Sequence, residues 1–341
     1  MSLAVLVLSG MLLIVLSADY FTNGVEWFGN RFRLSEGAVG SLLAALGTAL
    51  PETLVPVVAL IFGHPSEAAI GLGAILGAPF MLATLGFMVL GAGLWWTRRP
   101  HLSLRADLGP TRRDLAFFLV SFGMAVAAGW FSPAVKTAVG AGLVGLYLWH
   151  ARRLMVQGGG TAAPRPESPL HLWGGAEPPA VVILAQVAMA LGGLLLGAHF
   201  FVIGLENVSR RWGWSGFLLS VMITPLATEL PEVLNSVIWI RRRRDQLAVG
   251  NITGAMAFQA SVVPALGLWF SPWQFSPWEW ATAALAWGAA AALWLEVRRD
   301  RLPFAALMLS GGFYLLFLAL VSWGWRLPGL VDAISVLHYS I

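Results

Sequence analysis

Apolar stretches recur along the chain with little room between them, each long enough for a helix of about 20 residues to cross a bilayer. The pattern predicts transmembrane helices over residues 3–28, 35–62, 68–96, 114–130, 134–151, 179–208, 215–240, 246–270, 277–296 and 303–324. The segment 156–178 breaks it: Gly158, Gly159 and Gly160 are followed by Pro164, Pro166, Pro169, Pro178 and Pro179, the composition of an irregular linker. The expected fold class is therefore an all-α polytopic membrane protein of ten transmembrane helices. Five lie in residues 1–155 and five in 179–326, with a cytoplasmic linker at 156–178 and a short C-terminal tail at 327–341.

The placement of cations orients this arrangement, because Lys and Arg collect in cytoplasmic loops. With the N-terminus outside, the inner loops hold Arg31, Arg33, Arg98, Arg99, Arg105, Arg112, Arg113, Arg152, Arg153, Arg165, Arg241–Arg244, Arg298, Arg299 and Arg301. The outer side keeps Lys136, Arg210, Arg211 and Arg326. Both termini are thus expected outside, in the inner (plasma) membrane of a cell. The first stretch lacks a basic start and runs on into Asp19, Asn23 and Glu26, so it reads as a retained helix rather than a signal peptide.

Hydrophobic residues make up 58% of the 341 and charged residues 11%, a balance no soluble surface tolerates. Cysteine is absent, which removes disulfides, thiolate metal sites and cysteine nucleophiles. No Gly-x-x-x-x-Gly-Lys-Ser/Thr loop is present for nucleotide-driven work. The partners this composition implies are membrane lipids and small cations, without nucleic acid and without a cofactor; it says nothing about oligomeric state.

Two acidic residues stand out against the apolar background. Pro51-Glu52 and Pro231-Glu232 each fall inside a predicted span, where a carboxylate costs roughly 2.5 to 3.5 kcal/mol and faces a cavity, a partner or an ion. They are related by an internal repeat. A constant offset of 180 aligns Gly24 with Gly204, Glu26 with Glu206, Ser35 with Ser215, Thr48 with Thr228, Pro51 with Pro231 and Glu52 with Glu232. Beyond those helices the offset becomes 177 and matches Gly73 with Gly250 and Gly77 with Gly254, two GxxxG steps that by themselves mark only close helix packing. Five helices per half means that the second copy enters from the opposite side, an inverted-topology repeat.

A helix-interior proline supplies no N–H and crowds the carbonyl four residues earlier. Pro51 is expected to free the carbonyl of Gly47, Pro231 that of Ala227, and each helix is expected to break there. Freed carbonyls beside carboxylates are hard oxygen ligands, which suit a cation; Ca2+ takes six to eight of them. Glu52, Glu232, Thr48 and Thr228 with water supply such a set, and Na+ or protons compete for the same groups.

The runs Leu46-Gly47-Thr48-Ala49-Leu50-Pro51-Glu52 and Leu226-Ala227-Thr228-Glu229-Leu230-Pro231-Glu232 resemble the two alpha-repeats of the calcium/cation antiporter superfamily, whose best-known members are sodium/calcium exchangers. The alpha-repeats are expected at about 35–96 and 215–270. Ala18–Gly24 and Ala198–Gly204 resemble the first helix of each family half. The resemblance implies that Glu52 and Glu232 are the central ion ligands, that Thr48 and Thr228 add backbone oxygen, and that cations exchange across the membrane by alternating access at one site.

This sequence departs from the family pattern after each threonine, where Ala49 and Glu229 replace a small hydroxyl residue. Gly77-Ala78-Pro79-Phe80-Met81-Leu82 and Gly254-Ala255-Met256-Ala257-Phe258-Gln259 lack several side-chain oxygens associated with sodium coordination. Glu229 adds a third carboxylate; crowded carboxylates raise one another's pKa and carry protons. It either takes a proton near the site or turns about 100° away from Thr228 and pairs with Arg or His. Asn251 and Gln259 join the candidate ion-binding residues. Asp19 and His199, at equivalent positions, are functional or structural candidates, whereas Glu26 and Glu206 fit helix-end pairing with nearby arginines. Arg241–Arg244 read as membrane anchoring, and Trp95, Trp96, Trp173, Trp269, Trp273, Trp278 and Trp280 as interfacial.

The reading is a secondary cation antiporter, Ca2+ against Na+ or H+, and not an enzyme. The alternatives are an exchanger of another cation, a non-transporting paralogue or sensor that keeps the fold, and an intramembrane metal-dependent hydrolase using His199.

Overall fold

The structure, a computed structural model, describes residues 3–32, 44–98, 104, 107–157, 168–175 and 177–326. The described residues are almost wholly helical. Helix α1 is Leu3–Arg31 and α2 is Ala44–Val57, continued by a π turn Val58–Phe62. Helix α3, Ala68–Met81, passes through a π turn Leu82–Gly86 into α4, Phe87–Arg98. Next come α5, Leu108–Ala127, and α6, Pro133–Gln157. The second half contains α7, Ala180–Trp212; α8, Gly216–Thr228; α9, Leu230–Arg241; α10, Asp245–Gln259; α11, Val262–Phe270; α12, Pro277–Val297; and α13, Phe304–Arg326.

Among the described residues, seven helices are long and apolar enough to cross a membrane, or eight if Gly216–Thr228 and Glu232–Arg241 form one interrupted span. The chain is a multi-pass membrane protein. The two remaining predicted spans do not meet that measure: α6 carries Lys136, His150, Arg152 and Arg153, and the apolar part of the other, Leu50–Phe62, is short, while residues 33–43 lie outside the described part.

One expectation fails. Helix α2 runs through Pro51 as uninterrupted α-helix, and only beyond Pro56 does the bonding widen, in the π turn Val58–Phe62. Local π adjustment is one way a buried helix re-satisfies backbone groups that a proline strands, so a lost hydrogen bond need not become a break. At Pro231 the break is real: α8 stops at Thr228, Glu229 lies between the helices, and Pro231 is the second residue of α9, in the first turn, where a missing N–H costs no intrahelical bond.

The helices group into two compact units, each drawn from both sequence halves. In the first, Met1–Ala74 with Gly142–Thr228, α1 packs along α7 around Ile14, Phe21, Leu194, Phe201 and Leu205. A Cβ on Gly10 would lie 2.6 Å from Phe201 N, and one on Gly197 3.0 Å from Ile14 N, so only small residues permit this approach. Gly204 faces Val7 and Gly24 faces Val187, with hypothetical Cβ contacts of 2.8 and 2.9 Å. The two contacts are related by the sequence offset of 180, since Val7 and Val187 also differ by 180. As residue numbers rise along α1 they fall along α7, so these two helices are antiparallel. Helix α3 seats Gly73 on α8 beside Phe217 and Ser220, and Ser220 Oγ donates to Ile70 O at 2.7 Å.

The second unit, Ile75–Ala141 with Glu229–Ile341, packs α4 against α9 and α13, and α10 and α12 against α5. Side chains stitch these helices to carbonyls: Ser310 Oγ donates to Thr84 O in the π turn at 3.1 Å, and Trp287 Nε1 to Leu119 O at 2.9 Å. Lys136 Nζ donates to Pro272 O at 2.6 Å. Trp273, expected at the interface, is instead fully buried. Its indole donates to Ala125 O at 2.8 Å and its ring fills the space over Gly267, so a hydrogen bond and a glycine pocket outweigh the interfacial preference. Trp95, Trp96, Trp173 and Trp269 are exposed.

Candidate functional site

In the first unit Glu52 lies on α2, one turn before Pro56, and only 3% of it is exposed. Tyr147 of α6 is within electrostatic reach of its carboxylate. That phenol escaped sequence reading, because a tyrosine in a span carries no repeat partner or motif to flag it. Gly47 and Thr48 belong to the backbone of α2, but the side chains of residues 44–49 lie outside the described part.

Ala227 and Thr228 close α8, where last-turn carbonyls lack intrahelical donors. The donor that Ala227 O would have met belongs to residue 231, a proline without N–H. Thr228 is buried and its Oγ1 donates to Thr224 O at 3.3 Å. One turn earlier the hydroxyls of Ser220 and Thr224 meet at 2.8 Å.

In the second unit two carboxylates flank the start of α9. Glu229 occupies the break (φ −97°, ψ −11°), with no exposed surface. It accepts a hydrogen bond from Gln259 Nε2 at 2.8 Å, at the C-terminal end of α10. An Arg or His partner is therefore not what this contact provides; a neutral amide is.

Glu232 sits in the first turn of α9, where the helix dipole favours a negative group. It is 3% exposed and close enough to Glu229 for their charges to interact. Among the described residues its Oε2 meets no hydrogen-bond donor. A buried carboxylate oxygen without a donor is costly and fits a cation.

The Glu232 carbonyl is occupied differently. It accepts from Ser236 Oγ at 2.8 Å and from Asn251 Nδ2 at 3.0 Å, and Asn251 Nδ2 also reaches Ser236 Oγ at 3.1 Å. Asn251 thus braces the first turn of α9 with its amide, leaving Oδ1 as its remaining acceptor. A further buried contact, Thr253 Oγ1 to Asp114 Oδ2 at 2.8 Å, ties α10 to α5. Asp114 opens a predicted span, and treating every acid in a span as a candidate finds it.

No group of three or more His, Cys, Asp or Glu able to hold a metal exists among the described residues. His199 is exposed, with its ring near that of Phe200; Asp19 is exposed too and pairs with His171 at 3.0 Å. Glu206 meets Arg210 at 3.5 Å, the expected helix-end pairing, and also accepts from Ser66 Oγ at 2.5 Å.

The profile of the sodium/calcium exchanger protein family matches the chain over residues 2–151 and 182–323. CaxA of Alkalimonas amylolytica is 28% identical over 287 residues, 79% of this chain and 81% of that protein. The inner membrane protein YrbG of Escherichia coli is 24% identical over 341 residues, 93% of this chain and 96% of that one. The crystal structure of the H+/Ca2+ exchanger CAX superposes with a TM-score of 0.72 at 16% identity, covering 98% of this chain and 86% of CAX. The sodium-calcium exchanger NCX_Mj gives 0.57 at 21% identity, covering 93% and 98%. At these identities the likeness to solved structures is one of fold.

Proposed function

The chain belongs to the sodium/calcium exchanger protein family, and from that premise we propose that it exchanges Ca2+ for H+, with Glu52 and Glu232 as the carboxylates that bind the transported cation. Members of this family are transporters rather than enzymes, so the hydrolase reading is withdrawn. The observation that carries the proposal is Glu232: buried, in the first turn of a helix that begins at a backbone break, with Oε2 lacking a donor among the described residues.

Two carboxylates match the charge of Ca2+. The Ala227 carbonyl and oxygens of Thr228 and Thr48 add hard ligands, and water completes the number that Ca2+ requires. Proton coupling is favoured over sodium by two features of the sequence: Ala49, Ala78 and Ala255 withdraw side-chain oxygens, and Glu229 adds a carboxylate. Glu229 sits close enough to Glu232 to exchange influence by charge, so a proton arriving at one weakens the hold of the pair on Ca2+. Alternating access of ten helices in two inverted five-helix repeats, with both termini outside, is the proposed frame; the antiparallel run of α1 and α7 and their exchanged Gly–Val contacts support it.

Reconstituted proteoliposomes loaded with Ca2+ indicator test the coupling ion. An acid interior alone is expected to drive Ca2+ uptake, and Glu229→Gln to flatten its dependence on pH. Uptake driven by an imposed Na+ gradient and indifferent to pH would reassign the counter-ion to Na+.

A further inference from the structure

Residues 168–173 belong to the segment that composition marks as a mere linker, yet they are bonded to two helices. Asn23 Nδ2 of α1 donates to Ser168 Oγ at 3.0 Å and Pro169 O at 3.1 Å, and Trp27 Nε1 to Ser168 O at 3.0 Å. His171 N donates to Asn23 Oδ1 at 3.1 Å and Leu172 N to Gln186 Oε1 of α7 at 2.9 Å. Gln186 Nε2 returns to α1, at Tyr20 O and Asn23 Oδ1, both 2.9 Å. Leu170, 1% exposed, packs with Trp27 and Ile183.

Besides joining the two helices to each other, these polar residues hold the segment, and the offset of 180 shows what stands at the equivalent positions. At the opposite, pseudo-equivalent end of α1 and α7, Asn23 is answered by Ile203 and Gln186 by Leu6. The pair packs there without amides. Asn23 and Gln186 are buried polar groups, satisfied by each other and by the segment.

One contact in this set depends on a proton. His171 Nε2 lies 3.0 Å from Asp19 Oδ2, and its ring lies against Tyr20 at 4.7 Å between centroids. Among the described residues the titratable groups in contact with the His171 ring are these two, both on α1. The contact is an ion pair when the imidazole is protonated and at most a neutral hydrogen bond when it is not.

We propose that residues 168–173 form a proton-sensitive strap: docked, it clamps α1 to α7 and slows exchange, and protonation of His171 against Asp19 tightens it. The effect on exchange rests on the antiport reading; docking itself does not. For a part-exposed ion pair the strap's hold changes about two- to fivefold across the titration.

The chain has no cysteine, so Leu170→Cys supplies a lone thiol buried only while the strap is docked. Maleimide labelling, normalised to the same thiol in unfolded protein, is expected to run about two- to fivefold faster at pH 8 than at pH 5.5, and Asp19→Asn is expected to abolish the difference. In the unsubstituted protein, hydrogen-exchange protection of a peptide spanning 168–175 should fall in parallel, which keeps the test independent of how Leu170→Cys folds. Protection equal at both pH values, or a pH step that survives Asp19→Asn, would overturn the strap. In proteoliposomes His171→Gln should speed Ca2+ flux at acid pH; unchanged flux beside altered labelling would overturn the brake. A protein that carries no Ca2+ at all would instead defeat the antiport reading, with the labelling result still deciding docking.

Discussion

Gln259 Nε2 donates to Glu229 Oε2 at 2.8 Å, with neither residue exposed. An amide donor supports the carboxylate without neutralising it, as Arg would. Removing it in Gln259→Leu should lower stability by about 1.5 to 3 kcal/mol, the range for a hydrogen bond to a charged group, read as a lower melting temperature in detergent. Gln259→Glu should do more harm at neutral pH, because two carboxyl groups at that separation must share a proton. Its deficit should therefore shrink as pH falls; a deficit that grows in acid would contradict the assignment.

Asn251 braces the carbonyl of Glu232 and the hydroxyl of Ser236. Asn251→Asp keeps the shape but turns a donor toward an acceptor into an acceptor toward an acceptor. Ca2+ affinity is expected to fall by about tenfold, the equivalent of about 1.4 kcal/mol, through displacement of the first turn of α9. Asn251→Ser, which keeps a donor, should lose less. Equal affinity in both variants would mean that Asn251 does not position Glu232.

The approach of α1 to α7 predicts opposite effects at two glycines. Gly10→Ala brings a methyl to 2.6 Å from Phe201 N and should destabilise by about 1–3 kcal/mol, as overpacking does. Gly192 of α7 has no heavy atom within 4 Å of its would-be Cβ, so Gly192→Ala should be neutral or stabilise by up to about 1 kcal/mol through helix propensity. Thermal unfolding of the two variants side by side checks the pair.

Much of this was legible in the sequence. Seven of the ten expected spans, found among the described residues, were visible because membrane helices must be apolar for about 20 residues, and the internal similarity of the sequence because Gly24, Thr48, Pro51 and Glu52 recur at one spacing. The α1–α7 contact turns that spacing into geometry, with Val7 and Val187 exchanging places. Pro51 misled because a proline removes only one backbone bond, and whether a helix breaks depends on neighbours that the sequence does not order in space. Asn251 stood among the ion-binding candidates by its place on the helix after the second Pro-Glu step and its likeness to the family's Gly-Asn; that its amide nitrogen holds α9 needed the structure. Gln259 stood among the ion-binding candidates, but its hydrogen-bond partner Glu229 lies thirty residues away on another element. The strap was invisible for the same reason: Pro and Gly describe the linker's own conformation, not the amides of Asn23 and Gln186 that receive it.

The central claim is that Glu52 and Glu232 bind the transported cation, and equilibrium binding of radioactive Ca2+ to the purified protein tests it most directly. Saturable binding is predicted, lost in Glu52→Gln and in Glu232→Gln while both variants stay folded. Undiminished binding in either variant would contradict the claim for that residue.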